Sequence, residues 1–342
     1  MKPKVSIVRV RQSVQEAVRE AMELADWKNF VPRGAEVALK PNLGFDFFLP
    51  GTVTGPWVVE GVIQTIKGYV GQIYLVESGQ ILVNVERAFQ QTGMADLCRR
   101  YHVPWVNMSK GPFKRLKVPD GLVLREAEVP EILLKTSLIT IPVMKTHGRT
   151  VITGALKNQW GCLSELRHNY HLVIDEALAD VNALFKPAFA VMDGTVGLEG
   201  NGPKSGRPRV ANRVLASGDA VALDAVAARV MGFDPQDIGH IQLCARRGLG
   251  VGDPDEIQTV GEDASGLNLG FQRGRNNSVA VVEIALRRSF LRGLVFHTPL
   301  LSFLALGAIL WYYIWYYLGT GRRYRDLILS HPFYGPQWRQ RG

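Results

Sequence analysis

The chain has 342 residues, 46% of them hydrophobic and 21% charged. That is enough apolar material for one large α/β domain or two small ones, and too much for a disordered chain. Of the formal net charge of +9, +7 belongs to residues 286–342, where eight arginines face one aspartate; the preceding 285 residues carry 32 basic and 30 acidic side chains, a net +2. A near-neutral body without a basic stripe excludes an ordinary nucleic-acid binder, so no nucleic-acid partner is expected. Cys98, Cys162 and Cys244 are too widely spaced for a zinc or cluster motif, and their odd number argues against a disulfide framework.

In chain order, Val5 to Val10 reads as a strand, and Ser13 as the N-cap of a helix reaching about Trp27. Glu36 to Lys40 is a second strand ending at Pro41. Pro56 to Tyr69 is a helix opened by proline. Gln72 to Val76 is a third strand, followed by a helix over 85–100. Residues 103–135 are less regular, and short strands near 116–118 and 123–124 suggest an inserted hairpin. The alternation resumes with a strand over 137–141, a helix near 172–185, and strands at 188–192 and 210–216. Asp219 caps a helix reaching Met231, and another helix covers 235–247. Residues 264–277 read as a loop before a short strand at 279–284. This rhythm predicts a mostly parallel sheet with helices on both faces, an α/β domain over 1–285.

Residues 286–342 form the second unit. Leu294 to Leu318 carries no formal charge over 25 residues; as a helix it would reach about 37 Å, past a hydrocarbon core of about 30 Å. Aromatic residues from Trp311 to Tyr317 crowd one end and arginines stand on both sides, as at a membrane interface. A C-terminal transmembrane anchor with basic flanks is therefore expected, with membrane lipid as a partner. The N-terminal apolar run is too short for a signal peptide, which leaves the main domain cytoplasmic. A single crossing would export the tail 319–342 with five arginines. Pro299 and Gly307 offer the alternative of a bent, re-entrant segment.

The chemistry gathers at strand ends, where open α/β sheets bind ligands. Lys145-Thr-His147 follows one apolar strand, and Asp193-Gly194 ends another before Glu199-Gly-Asn-Gly-Pro203. Lys145, His147 and Asp193 are the expected catalytic residues, the first two in acid–base roles. Lys40, Asn42, Lys157, Asn158, Gly200, Asn201 and Gly202 are expected to bind substrate, with lysine serving as a point charge towards phosphate or carboxylate. Asp193 and Glu199 offer carboxylates to a divalent ion such as Mg²⁺. The glycine loop fits neither a phosphate-binding P-loop nor a dinucleotide fingerprint. His168 and His171 share a face if helical, with Asp175 beyond them, but no H-E-x-x-H pattern is present. Asp219 reads first as a cap, and Asp224 is placed to reach the same cleft.

Lys40-Pro41-Asn42, Glu77-Ser78-Gly79, Lys145-Thr146-His147, Gly154-Ala155-Leu156-Lys157-Asn158, Asp193-Gly194, Glu199 to Pro203 and Gly218-Asp219 with Asp224 keep their order along the chain. Together they resemble the DUF362 family, a domain of unknown function. The resemblance implies a fold and a site, not an activity. Some members of that family carry ferredoxin-type iron–sulfur modules; this chain has no such cysteine run, so no iron–sulfur cluster is expected. The expected protein is a membrane-anchored enzyme whose Lys/His/Asp cleft takes a phosphorylated or carboxylated substrate, lipid-linked or free. The alternative is a non-catalytic accessory or scaffold subunit of a membrane complex.

Overall fold

The computed structural model describes residues 2–163, 165–296 and 298–340, and the side chains of Glu165, Leu166 and His168 lie outside what it describes. The strands are β1 (Lys4–Arg9), β2 (Val37–Pro41), β3 (Ile73–Glu77), β4 (Trp105–Asn107), β5 (Phe113–Lys117), β6 (Glu126–Pro130), β7 (Ser137–Ile141), β8 (Val143–His147), β9 (Val151–Ile152), β10 (Phe189–Glu199), β11 (Arg207–Ser217) and β12 (Gln258–Gly261). The main sheet runs β12-β1-β11-β10-β7-β2-β3-β4, with β8 paired to β10 and β9 to β8. Pairing is parallel except where β11 meets β1 and β10, and where β9 meets β8. The mostly parallel α/β sheet expected from the sequence is present. The hairpin expected within 103–135 is β5 with β6, a separate antiparallel pair.

Successive strand residues point to opposite faces, and both faces here are covered. Phe189 and Val191 of β10 join one core cluster, with Val14, Val18, Trp57 and Val62 of the helices Val14–Leu24 and Pro56–Ile66. Ala190 and Met192 join the opposite cluster, with Val221, Leu223 and Val226 of the helix Ala220–Met231. Burial on both sides explains why these strands read as continuous apolar runs.

Several expectations are corrected. Asp193 is not a strand tip: β10 continues through it to Glu199, held along its length by β11. Lys145, Thr146 and His147 do lie at a strand end, but of a separate strand and not of β7: the chain breaks at Pro142 and resumes as β8 beside β10. The helix expected over 85–100 is two, Val85–Gln91 and Met94–Tyr101, separated at Gly93 in the left-handed region with φ 79°. Residues 279–284 are helical, within Ser278–Arg288; the Asn277 side chain accepts from the Ala280 N–H at 2.9 Å, and this cap outweighs the β-branched valines.

The apolar segment is also broken. A short helix, Arg292–Phe296, precedes the helix Leu300–Tyr317, which starts after Pro299. Its aromatic end does not form a free belt. Tyr312 and Tyr316 are buried against Phe45 and Phe47, and the Tyr316 hydroxyl donates to the Phe48 carbonyl at 2.7 Å. The tail after Leu318 does not stand apart from the domain. Helices Gly321–Leu329 and Tyr334–Arg339 return to the domain, where Tyr334 and Trp338 are fully buried.

Candidate functional site

Strand β8 sets the floor of a cleft of about 500 Å³. Its period of two puts Lys145 and His147 on one face, while Met144 joins the core and Thr146 Oγ1 donates to the Gly200 carbonyl at 3.3 Å. Lys145 Nζ reaches Asn42 Oδ1 at 2.7 Å and the Thr52 carbonyl at 2.9 Å, both neutral acceptors. Asn42 Nδ2 donates to Asn158 Oδ1 at 3.0 Å, and Asn158 Nδ2 donates in turn to Thr140 Oγ1 at 2.8 Å and the Lys40 carbonyl. Asn158 therefore ties the site to β2 and β7. Lys40 differs from the other lysines, since its ammonium is paired with Glu77 at 2.9 Å, both side chains being nearly inaccessible.

Lys157 is delivered by the short helix Gly154–Asn158. Asp224 Oδ1 and Oδ2 accept from the Ala155 and Leu156 N–H groups at 2.6 and 2.9 Å, so this carboxylate caps that helix from behind and does not enter the cleft. Gly154 has φ +59°, and a Cβ there would collide with the Asp224 carboxylate; glycine is required at this point. Lys204 enters from the loop after Gly202-Pro203, its Nζ 5.7 Å from the Tyr312 ring centroid. Neither Lys157 nor Lys204 has an ion-pair partner among the described residues.

This crowding shifts protonation. Burial, then the charges of Lys157 and Lys204, push Lys145 down to about 7. Burial, then Arg149 and Arg167, push Lys157 down to about 7, and burial brings Lys204 to about 8. Burial and Lys157 hold His147 well below its ordinary value. His147 Nδ1 accepts from the Arg149 and Thr150 N–H groups at 3.1 and 3.4 Å, which assigns the proton of the neutral ring to Nε2. With that tautomer His147 is a hydrogen-bond donor to a ligand and not a ready base. Lys145 and Lys157 are the groups able to exchange a proton near neutrality.

The rim is built from residues far apart in sequence. Arg149 pairs with Glu283 at 2.8 Å, His171 Nδ1 lies 2.7 Å from the other Glu283 oxygen, and Arg287 Nε donates to it at 2.8 Å. Glu283 is thereby held far below the ordinary carboxylate range, although burial alone would raise it. Arg167 donates to Ser78 Oγ and to the Gly79 carbonyl. Opposite these polar groups, Leu301, Leu304, Ala308 and Trp311 of the helix Leu300–Tyr317 complete the lining.

The structure thus brings Lys40, Asn42, Lys145, His147, Lys157, Asn158 and Gly202 to one cleft and leaves other sequence candidates outside its lining. Asp193 is buried elsewhere, accepting from the Gly55 N–H at 2.7 Å and from Thr195; burial raises it to about 6. Glu199 accepts from Arg209 at 2.9 Å and from the Gln272 N–H. Among the described residues Asp193 and Glu199 share no hydrogen-bonding group. Among the described residues no cluster of three or more His, Cys, Asp and Glu side chains is placed to hold a metal ion. Asn201 is exposed, and the Gly200 carbonyl serves Thr146. Asp219 caps its helix as read from the sequence, accepting from the Val221 and Ala222 N–H groups. Lys204, Arg149, Arg167, Glu283 and Arg287 were missed. Lys204 directly follows the Gly-Asn-Gly-Pro loop, and Arg149 follows His147 by two residues; those adjacencies were the available signal.

Two comparisons bear on this geometry. The family described as "Domain of unknown function (DUF362)" matches residues 37–229, the stretch that supplies Lys40, Lys145, Lys157 and Lys204. The thylakoid-associated protein sll1697 of Synechocystis sp. is 27% identical over 249 residues, covering 69% of this chain and 76% of the relative. Among the described residues one helix, Leu300–Tyr317, is long and apolar enough to cross a membrane by length and composition.

Proposed function

This chain belongs to the DUF362 family, and from that premise we propose that it is a membrane-associated protein whose cleft binds the anionic head of an amphiphilic ligand. A phosphate or carboxylate would lie among the ammoniums of Lys145, Lys157 and Lys204 with the His147 Nε2–H, and an acyl or isoprenoid portion along Leu301, Leu304, Ala308 and Trp311. The observation that carries this reading is the meeting, in one cleft, of cations lacking a carboxylate of their own with an apolar wall. Lysine charges held in a partly dry site favour an anion more strongly than they would in water, and the wall adds about 25 cal/mol per Å² of apolar surface it covers. Membrane association is supported by the exposed apolar helix and by the thylakoid association after which the Synechocystis relative is named.

As an enzyme, the protein would use Lys145 or Lys157 for proton exchange and His147 to orient the head group. The test uses the purified full-length chain in detergent, titrated with phosphatidic acid, farnesyl monophosphate, a free fatty acid and inorganic phosphate. Probes combining head and tail should bind tighter than inorganic phosphate, and Lys157→Ala should weaken them by about tenfold, or roughly 1.4 kcal/mol. Equal binding by the parent and the variant would refute this site.

A second reading is favoured by one observation, the outward apolar row Leu306, Leu310 and Ile314, each more than half exposed. An accessory subunit would lay this row against an integral membrane protein. Stoichiometric co-purification with such a partner, together with a cleft that takes none of the probes, would support it.

A further inference from the structure

Both ends of the apolar segment are fastened to the domain. Before it, Glu283 is bound to Arg149 and His171, and the Arg287 guanidinium stacks 3.9 Å from the Phe296 ring centroid. After it, the Tyr334 hydroxyl donates to Asn212 Oδ1 at 2.6 Å, and Trp338 meets Trp57 edge-on at 4.5 Å between centroids. A single crossing would have to carry one of these ends across a hydrocarbon core of about 30 Å.

The free length does not allow a crossing either. Packing of this helix into the domain's core begins at Trp311, and the turns from Leu300 to Leu310 only border the cleft. Those residues span about 16 Å, half the hydrocarbon thickness. Yet their surroundings are not those of a soluble helix. Phe290 is 93% exposed, Phe303 71%, Leu306 63% and Leu318 84%, and Arg288, Arg292, Arg322 and Arg323 stand exposed at the two ends. Apolar residues bordered by arginines match the depth profile of one leaflet, with guanidiniums at the phosphate level.

We propose that the exposed apolar side chains between residues 290 and 318 enter one leaflet of an anionic lipid bilayer from a single side, so that the domain and residues 319–340 remain together on that side. Leu301, Leu304 and Trp311, which line the cleft, then stand at the lipid boundary, and an amphiphile would reach the cleft laterally from the leaflet. The insertion itself does not depend on what the cleft binds.

The buried state of Cys98, Cys162 and Cys244 makes labelling of introduced thiols readable. Ser265→Cys lies on the domain and Ser330→Cys in the tail, both at exposed positions. In sealed membrane vesicles a membrane-impermeant maleimide should label both from the same side. Labelling of Ser330→Cys from the opposite side only would overturn the proposal. The purified chain should also float with protein-free phosphatidylcholine vesicles containing an anionic phospholipid. Leu306→Glu with Leu310→Glu should abolish flotation while leaving circular dichroism unchanged. Flotation of the double variant like the parent would overturn the proposal, as would membrane attachment that needs a protein partner or a second copy covering the helix. Ligand titration plays no part in these readouts, so failure here is separable from failure of the cleft assignment.

Discussion

The Arg149 guanidinium meets the Glu283 carboxylate at 2.8 Å and thereby joins the turn after β8 to the helix from which the apolar segment departs. Glu283 is the one carboxylate bound to the cationic rim in this way among the described residues, shared by Arg149, His171 and Arg287. It occupies the charge role that a ligand anion would otherwise fill. Glu283→Gln should raise affinity for inorganic phosphate by about fivefold, on the order of 1 kcal/mol, as measured by calorimetry. Unchanged or weaker affinity would show that the clamp serves only to hold the helix.

Anion binding should fall as pH rises from about 6 to about 8.5, because Lys145 and Lys157 lose their protons near 7 and Lys204 near 8. His147 stays neutral throughout and contributes no slope. Binding near pH 7 should take up protons, visible as a dependence of the calorimetric enthalpy on buffer ionisation. Without ligand the sign reverses. Lys145 and Lys157 titrate near 7 when folded and near the ordinary value of 10.5 when unfolded, so between these limits the unfolded chain holds more protons. Stability from these lysines therefore rises with pH across that window. Urea midpoints taken across it check the direction.

Lys40 and Glu77 form a buried pair, so removing one partner strands the other. Lys40→Met should cost about 3 to 5 kcal/mol. Adding Glu77→Gln should recover roughly half of that cost by replacing the stranded charge with a neutral amide. A double variant no more stable than Lys40→Met in chemical denaturation would place the cost in packing instead.

Gly154→Ala introduces a Cβ against Asp224 at a backbone with φ +59°. Strain of about 1 to 3 kcal/mol is expected, and displacement of the helix Gly154–Asn158 should carry Lys157 away from Lys145. The readout is a lower thermal midpoint together with weakened phosphate binding. Loss of stability with full binding would mean that the helix shifts as a rigid unit around its ligand.

Trp338 is inaccessible, packed between Trp57 and Phe48. Trp338→Ala should lower stability by about 3 to 5 kcal/mol, and removal of residues 331–342 should do at least as much. A thermal midpoint unchanged by either would indicate a tail that does not dock.

What the amino-acid order determined by itself is local. Apolar runs of strand length and the cap signals Ser13, Pro56 and Asp219 set the α/β rhythm and most elements to within a few residues. The +7 arising from the C-terminal arginines and the uncharged stretch 294–318 marked out the apolar, basic end of the chain. Lys40, Lys145, His147 and Lys157 were legible as one cationic group because each falls on or beside a strand end or the short helix that follows. What only tertiary structure decided is which charges remain without partners. Asp193 and Glu199 look in sequence like an acidic half-site, but β10 runs on through both, and each is satisfied by its own neighbours. Lys204, Arg149 and Glu283 reach the site only because the chain folds back on itself, with Glu283 lying 134 residues from Arg149. The tail's return shows the same limit: Trp338 meets Trp57 across most of the chain, a contact set by surface complementarity and not by any local periodicity.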